Sequence, residues 1–238
     1  MKHPGRTREA AQRRAAIAVL LRAVVRPRMR EIRAVLADWD PCSAETVRLV
    51  DGDLLAFARR DPAAHGSWRD VIGSYRCFRA VAAYRVAHAI LQAPLRSPDG
   101  RVRRRTIARD ISERAKVATG VEIHPAASIG KRFVVDHGIG TVIGETAVVG
   151  NDCYLLHGVV LGANGIADLP QGRRHPRIGS RVEIGAFARI LGPISIGDDV
   201  VVGCHALVRH DIAAGSRVSV RNQYQTVRAG PGITERSA

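Results

Sequence analysis

Cysteine, aromatic residues, lysine and long apolar runs are all scarce in this 238-residue chain, and each shortage excludes a class of protein. The four cysteines show no Cys-x-x-Cys spacing, so neither a disulfide framework nor a thiolate zinc site is indicated. No apolar run approaches the roughly 20 residues that a membrane-spanning helix needs. The apolar run at 15–21 is followed at once by Arg22 and is interpreted as part of an amphipathic helix, not as a signal peptide. We therefore expect a cytoplasmic protein with no membrane span.

The charge of the chain is strongly unbalanced. Its formal net charge of +15 comes almost entirely from arginine, since lysine stands only at positions 2, 116 and 131. Such a balance favours anionic partners, for example a polyphosphorylated cofactor, although an arginine-rich source genome would give the same excess. Aromatic residues make up 4% of the chain and no nucleic-acid-binding motif is present, so we expect no nucleic-acid partner.

Residues 1–117 are predicted to form an N-terminal all-α domain with a basic connector. Apolar residues recur at helical spacing in four segments, at 13–36, 44–59, 71–91 and 101–117. Pro27 is expected to kink or divide the first segment. Asp61 and Pro62 should end the second, because the residue before a proline avoids the helical region.

From residue 118 the spacing of the aliphatic residues changes to six. A helix would spread a six-residue repeat around its whole surface, so this segment cannot be one amphipathic helix. A triangular solenoid explains the spacing, because each hexad forms one short strand and one corner, and three hexads form a coil. We therefore predict an α+β protein whose residues 118–222 form a parallel β-helix, followed by a C-terminal tail at 223–238. The inward-facing positions are predicted to be Ile123, Ile129, Val135, Ile143, Val149, Leu155, Leu161, Ile178, Ile184, Ile190, Ile196, Val202, Val208, Ala214 and Val220.

Two interruptions of the repeat are the candidates for chemistry. The first is a two-residue slip after Asp136 and His137, and the second is a polar excursion at 163–177, predicted to project from one corner as a loop. The loop contains Arg174 and His175. An imidazole base, a second imidazole and an arginine suited to a carboxylate would serve acyl transfer to a hydroxyl group. The alternatives are that His137 only caps a distorted corner and that Arg174 is one more surface arginine.

Several segments resemble the serine acetyltransferase family of hexapeptide-repeat proteins. In the solenoid they are "EIHPAASIG" at 122–130, "VDHGIGTVIGETAVVGND" at 135–152, "RRHPRIG" at 173–179 and "IGAFARILGPISIG" at 184–197. In the helical half they are "RRDPAA" at 59–64 and "SYRCFRAVAAYRVAHAI" at 74–90. The resemblance covers roughly residues 55–215. It implies a left-handed parallel β-helix behind a helical domain, assembled as trimers or dimers of trimers, with acetyl-CoA bound between neighbouring β-helices.

The resemblance also assigns roles to individual residues. It implies that His137 is the general base that deprotonates the hydroxyl of L-serine, which attacks the thioester of acetyl-CoA directly. Glu122 stands where the family has an aspartate that orients the base, and His175 completes the implied catalytic group. The residues implied to hold the amino acid are Asp61, Asp136, Arg174 and His175, with Arg174 at its carboxylate. The positions implied to line the CoA path are Ala163, Ala186 and Cys204.

Four of the departures from the family pattern bear on the site or on partners, in addition to the segment after Val208, which reads "SVRNQYQTVRAG" and lacks the family's Pro-Ala-Arg signature. Glu122 adds a methylene to the family's aspartate, Ala163 replaces a glycine in a lengthened loop, and Phe187 stands where the family has a glycine near the CoA groove. The fourth departure is in the tail, where the family's docking segment for cysteine synthase ends in isoleucine. Here "GPGI" at 230–233 is followed by five more residues, which argues against that complex.

The leading hypothesis is therefore a serine O-acetyltransferase that produces O-acetylserine and needs no metal. A second hypothesis keeps the reaction and changes the acceptor to another hydroxy amino acid. A third is a zinc lyase on the same solenoid, since His205 and His210 show the His-x₄-His spacing and His175 lies upstream. A fourth is a non-catalytic trimeric scaffold. Otherwise His157, His205 and His210 are interpreted as wall or surface residues.

Overall fold

The computed structural model describes residues 4–165 and 172–221, with side chains from residue 7 onward. The first part of this range is helical. The α-helices are α1 (Pro4–Val25), α2 (Met29–Val35), α3 (Ala44–Arg60), α4 (Trp68–Ser74), α5 (Arg76–Gln92) and α6 (Arg101–Thr119). A 3₁₀ turn at Arg26–Arg28 separates α1 from α2, so the predicted division at Pro27 is found. No helix within the described ranges is both long and apolar enough to cross a bilayer.

The helices end where the sequence supplies capping groups. Ser43 accepts a hydrogen bond from the backbone N–H of Thr46 at the start of α3 (3.3 Å). Asp61 ends α3 in an extended conformation and accepts from the N–H of Ala63 (2.8 Å), which begins a 3₁₀ turn. Gly120 ends α6 with φ of 72°, a left-handed conformation that costs glycine little. The chain then enters the first strand at Glu122.

The remainder forms a left-handed parallel β-helix, as predicted. Its short strands within the described residues are β1 (Glu122–Ile123), β2 (Ser128–Ile129), β3 (Val134–Val135), β4 (Val142–Ile143), β5 (Val148–Val149), β6 (Tyr154–Leu155), β7 (Val160–Gly162), β8 (Arg177–Ile178), β9 (Glu183–Ile184), β10 (Arg189–Leu191), β11 (Ser195–Ile196), β12 (Val201–Val202), β13 (Leu207–Val208) and β14 (Arg217–Val218). The first sheet contains β1, β4, β7, β10 and β13, the second β2, β5, β8 and β11, and the third β3, β6, β9, β12 and β14.

The register of the sheets follows the hexads. In the first sheet, Ile123 pairs with Ile143, which pairs with Leu161, and all three are at least 97% buried. The ladder therefore fills the prism with aliphatic side chains from coil to coil, which is how a solenoid buries a continuous core.

The predicted inward-facing residues are wrong for the last two hexads. Ala214 and Val220 are exposed, and the side chains that pack against the core are Ile212 and Val218. Ile212 bridges to Ile196 of the second sheet and Val218 lies in β14. The chain thus takes four residues after Val208, not six, because a branched aliphatic residue fills the core better than alanine does.

The helical domain covers the first coil of the β-helix, whose backbone groups have no coil beneath them. Tyr84 donates to the carbonyl of Ala127 (2.7 Å), and Ser112 donates to that of Ile123. Arg85, which is 95% buried, donates to the carbonyl of Ile129 (2.6 Å) while its guanidinium pairs with the fully buried Asp53 (2.8 and 3.1 Å). These contacts give hydrogen-bond partners to backbone carbonyls at the open end of the β-helix, which a solenoid must cap.

The predicted boundaries of the domains are not tested by these contacts, and they stay predictions. The central part of the predicted loop, 166–171, and the tail at 223–238 with its "GPGI" segment lie outside the described residues. The prediction about cysteine synthase therefore also stays a prediction.

Candidate active site

The two-residue slip builds an irregular corner between β3 of the third sheet and β4 of the first. We call this corner, together with the equivalent corners of the later coils, the base corner. His137, Gly138 and Gly140 all have positive φ, at 57°, 78° and 80°. The N–H of Gly138 bonds back to the carbonyl of Asp136 (2.7 Å), and the N–H of Thr141 bonds to that of Gly138 (3.0 Å). The extra residues form a compact turn that raises the His137 side chain, which is 72% exposed.

Gly138 is required at this corner for steric reasons. A Cβ there would lie 2.7 Å from Cγ2 of Val121 and 3.0 Å from Cβ of Cys77. The backbone of the slip therefore packs directly against the helical domain. The imidazole next to it is consequently carried on a well-supported turn, although the ring itself faces outward.

Asp136 is held in place from two sides and lies beside the imidazole. One carboxylate oxygen accepts from the backbone N–H of His137 (2.8 Å) and the other from the hydroxyl of Tyr154 (2.8 Å). The second oxygen lies 3.7 Å from Nε2 of His137, an ionic distance and too long for a hydrogen bond. Asp136 is only 9% exposed. It can therefore stabilise positive charge on His137 without moving.

Asp61 comes from the helical domain and belongs to the same site. The hydroxyl of Tyr75 donates to its carboxylate (2.6 Å). The pKa of Tyr75 is raised mainly by this bond, and Asp136 contributes to the shift. Burial raises the pKa of Tyr154, with contributions from Asp136 and then Asp61. Both carboxylates therefore act on both phenols, which stay protonated and keep donating to them.

Arg60 fixes the end of α3, and with it Asp61, onto the third sheet. Its guanidinium stacks over the ring of Tyr154 (4.7 Å to the centroid) and donates to the carbonyl of Asp152 (2.7 Å) and to Glu183 (2.6 Å). Sequence reasoning missed Tyr75, Tyr154 and Arg60. The available signal was the register, since Tyr154 pairs with Val134, two residues before Asp136.

Arg174 and His175 lie at the opposite edge of the first sheet, at the corner that leads to the second sheet, which we call the arginine corner. Arg174 donates to Glu145 (3.0 Å). Thr146 organises both residues, because its hydroxyl oxygen accepts from the backbone N–H of Arg174 (2.9 Å) and of His175 (3.1 Å). The ring of His175 lies over Gly144, where a Cβ would be 2.0 Å from Nε2. The glycine therefore makes room for the ring.

The hydrogen bonds of His175 define its tautomer. Its Nδ1 accepts from the backbone N–H of Thr146 (3.2 Å), so in the neutral ring Nε2 carries the proton. Burial lowers the pKa of His175, and the neighbouring Arg174 lowers it further. His175 is thus a neutral hydrogen-bond donor at physiological pH.

Glu122 has different partners from those that the resemblance implies. It lies on β1 and pairs with Lys116 (2.6 Å) and Arg109 (3.2 Å) of α6. Burial acts to raise the pKa of Glu122, but the two cations outweigh it and leave that pKa lowered. In the described structure the carboxylate beside His137 is that of Asp136, and the role of Glu122 toward the base stays a prediction.

Apart from Glu122, which lies on β1, the predicted site residues divide between the two corners that border the first sheet. Asp136 and His137 lie at the base corner, where later coils add Ala186 and the exposed Cys204. Asp61 adjoins this corner from the end of α3, where Tyr75 and Tyr154 lie between the two carboxylates. The arginine corner holds Ala163, Arg174 and His175. Within one chain the structure brings the first group together and the second group together, on opposite edges of one sheet.

The described residues contain no group of three or more His, Cys, Asp or Glu side chains that could hold a metal ion. His205 stacks on Phe187 at the base corner, whereas His210 follows β13 at its other end. The His-x₄-His pair is therefore separated by a strand within one chain.

Comparisons with known proteins identify the family. A family model described as bacterial transferase hexapeptide (six repeats) matches residues 175–210. A serine acetyltransferase of Helicobacter pylori is 43% identical over 158 residues, which cover 66% of this chain and 85% of the relative. This chain belongs to the serine acetyltransferase family. The Mycobacterium tuberculosis member is 45% identical over 157 residues, 66% of this chain and 63% of the relative.

Solved structures of the family share the fold. Serine acetyltransferase isoform 3 of Entamoeba histolytica in complex with cysteine has a TM-score of 0.69 and 29% identity, covering 90% of this chain and 72% of that one. The Neisseria gonorrhoeae enzyme in complex with serine has a TM-score of 0.66 and 37% identity, covering 75% and 68%. The predictions of the family, the fold and the acetyltransferase class are confirmed.

Proposed function

We propose that this serine acetyltransferase family member transfers the acetyl group of acetyl-CoA to the hydroxyl of L-serine, with His137 as the general base. The observation that carries the proposal is the corner formed by the slip, which presents an exposed imidazole beside a buried carboxylate. His137 takes the proton as the serine oxygen attacks the thioester carbonyl. O-acetylserine forms and the thiolate of CoA leaves, and it receives the proton from the imidazolium. Asp136 stabilises that imidazolium.

Asp61 and Asp136 form the pocket for the ammonium group of serine. Two carboxylates that act on the same pair of phenols supply the negative charge that a buried ammonium needs. Tyr75 and Tyr154 hold both carboxylates in place. Serine has its hydroxyl two carbons from its amine, so an ammonium bound here leaves the hydroxyl within reach of His137.

Arg174 and His175 are proposed to bind the carboxylate of serine from a neighbouring chain. Arginine suits a carboxylate because its planar donors match the two oxygens. Within one chain this group lies across the first sheet from His137, so a complete site requires the base corner of one protomer and the arginine corner of the next. We therefore propose a homotrimer, alone or paired through the helical domains. Ala163, Ala186 and Cys204 would then border acetyl-CoA between the prisms.

The experiment is a steady-state assay of acetyl-CoA consumption with serine, homoserine and threonine. We expect serine to have the highest kcat/KM. The variant His137→Asn should lose about 10²–10⁴-fold in rate, as expected for a lost general base. Asparagine tolerates positive φ, so the loss is not caused by backbone strain. Acetyl transfer to serine at the wild-type rate by His137→Asn would contradict the assignment, and preference for another amino acid would favour the alternative acceptor.

A further inference from the structure

Ring side chains occupy four successive levels of the base corner, and we call them the ring column: His137, His157, Phe187 and His205. Neighbouring ring centroids are 5.6, 4.8 and 5.2 Å apart along the column. The first two contacts are edge-to-face, at 81° and 85°, and the last is stacked, at 17°. These geometries are favourable for aromatic pairs. The catalytic imidazole is therefore the first ring of a continuous row along the prism.

Phe187 is fixed in this column and yet remains exposed. Its backbone N–H bonds to the carbonyl of His157 (3.0 Å), and its ring fills the space over Gly158, where a Cβ would lie 2.4 Å from the ring. It has φ of 60° and is 46% exposed. A large apolar ring that is held in an unfavourable backbone conformation and stays partly exposed is a candidate for a binding contact.

The position of the helical domain determines on which side of His137 the acetyl donor, acetyl-CoA, lies. Below the slip, Cys77 packs against Gly138, while Asp61 and Tyr75 provide the acceptor pocket from the end of α3, which lies against the third sheet. The thioester must reach His137, and the rest of acetyl-CoA then has to extend toward the later coils, along the ring column. Phe187 lies two coils from His137, about 10 Å at the usual spacing of strands.

We propose that the exposed edge of the Phe187 ring contacts the pantetheine arm of acetyl-CoA and sets the affinity of the enzyme for its donor. This inference rests on the proposed function. His157 and His205 hold the ring from below and above, and its exposed outer edge meets the methyl and methylene groups of the arm. Phe187 contributes to binding and not to proton transfer, because it is separated from the base by His157.

The test compares donors of two lengths in Phe187→Ala. We expect KM for acetyl-CoA to rise about tenfold, the value expected when about half of the exposed ring surface is covered by the arm. KM for serine and kcat at saturating donor should stay unchanged, because the contact is the same in the ground state and in the transition state. With S-ethyl thioacetate, whose two-carbon thiol is too short to span the two coils to Phe187, kcat/KM should equal that of the wild type.

Val102→Ala is the matched control, since Val102 is exposed (64%) but lies at the start of α6. It should change neither KM. An unchanged or lowered KM for acetyl-CoA in Phe187→Ala, or an equal loss with both donors, would overturn the proposal. Should the alanine variant not fold, Phe187→Leu is measured in the same way, with a smaller expected rise in KM. If the wild type does not acetylate serine, the proposed function fails. The role of Phe187 is then still tested by calorimetric binding of CoA to the wild type and to Phe187→Ala, where we expect a Kd about tenfold higher in the variant.

Discussion

Replacing Gly138 with alanine tests whether the slip holds His137 as described. Gly140 offers a matched control in the same turn. The two glycines have nearly equal φ, at 78° and 80°. A Cβ on Gly138 would meet Val121 at 2.7 Å and Cys77 at 3.0 Å, whereas a Cβ on Gly140 would have its nearest neighbour at 3.6 Å. The pair therefore separates backbone strain from steric overlap.

The expected magnitudes follow from that difference. Alanine in the left-handed region costs about 1–2 kcal/mol at either position. Overlap in a packed site adds about 1–3 kcal/mol in Gly138→Ala alone. Relief of the overlap must shift the backbone next to His137, and a misplacement of about 1 Å at a catalytic group costs on the order of 10² in rate. We therefore expect Gly138→Ala to be the less stable variant and to lose most of its kcat.

Thermal denaturation at one fixed protein concentration measures the stability, because the melting temperature of an oligomer depends on concentration. The kcat for acetyl transfer to serine is measured on the same samples below the transition. Gly140→Ala should retain a kcat near that of the wild type. Equal losses of stability and of kcat in the two variants would refute the argument that contact with the helical domain positions the base.

Three further predictions concern the supports of the site. Tyr154→Phe removes a hydrogen bond to the carboxylate of Asp136 and should raise KM for serine about tenfold, measured by steady-state kinetics. Arg85→Leu leaves Asp53 buried without its partner and should cost about 3–5 kcal/mol in urea denaturation, so a loss below about 1 kcal/mol would contradict the capping role. Burial lowers the pKa of His175, so as the pH falls the unfolded chain is protonated at this histidine before the folded chain is. The free energy of unfolding therefore decreases as the pH falls below about 6.5. His175→Gln should lose less stability between about pH 7 and pH 5, and an unaltered pH profile would count against a buried neutral imidazole.

The fold could be predicted from the sequence because each hexad corresponds to one strand and one corner of the β-helix. Each inward aliphatic residue marks one strand, and Ile123, Ile143 and Leu161 pair in the register that their spacing requires. The prediction was wrong at Ala214 and Val220 because the spacing was extended where the last coil is shortened. A period alone contains no information on where it ends.

The candidate site could be predicted only in part. The slip marked His137 because an interruption of a regular wall is visible in the sequence. Tyr154 could have been found from the register of the coils, which brings it close to Asp136. Tyr75 was missed because its role depends on how the helical domain docks, which no local pattern encodes. The same docking places Lys116 and Arg109 of α6 against Glu122.

The ring column was missed for a related reason. His157 and Phe187 are 30 residues apart in sequence and become neighbours only because the loop at 163–177 lengthens one coil. Contacts along the column depend on the number of residues in each coil. A repeat with an insertion of unknown path does not reveal them.

The most direct test of the central claim is complementation between two inactive variants. His137→Asn removes the base and Arg174→Ala removes the carboxylate ligand from the opposite edge of the first sheet. If each site combines the two corners from neighbouring protomers, every mixed trimer contains one intact site, and random mixing should restore about one quarter of wild-type activity. Activity after co-expression that stays at the level of the separate variants would contradict a site shared between chains.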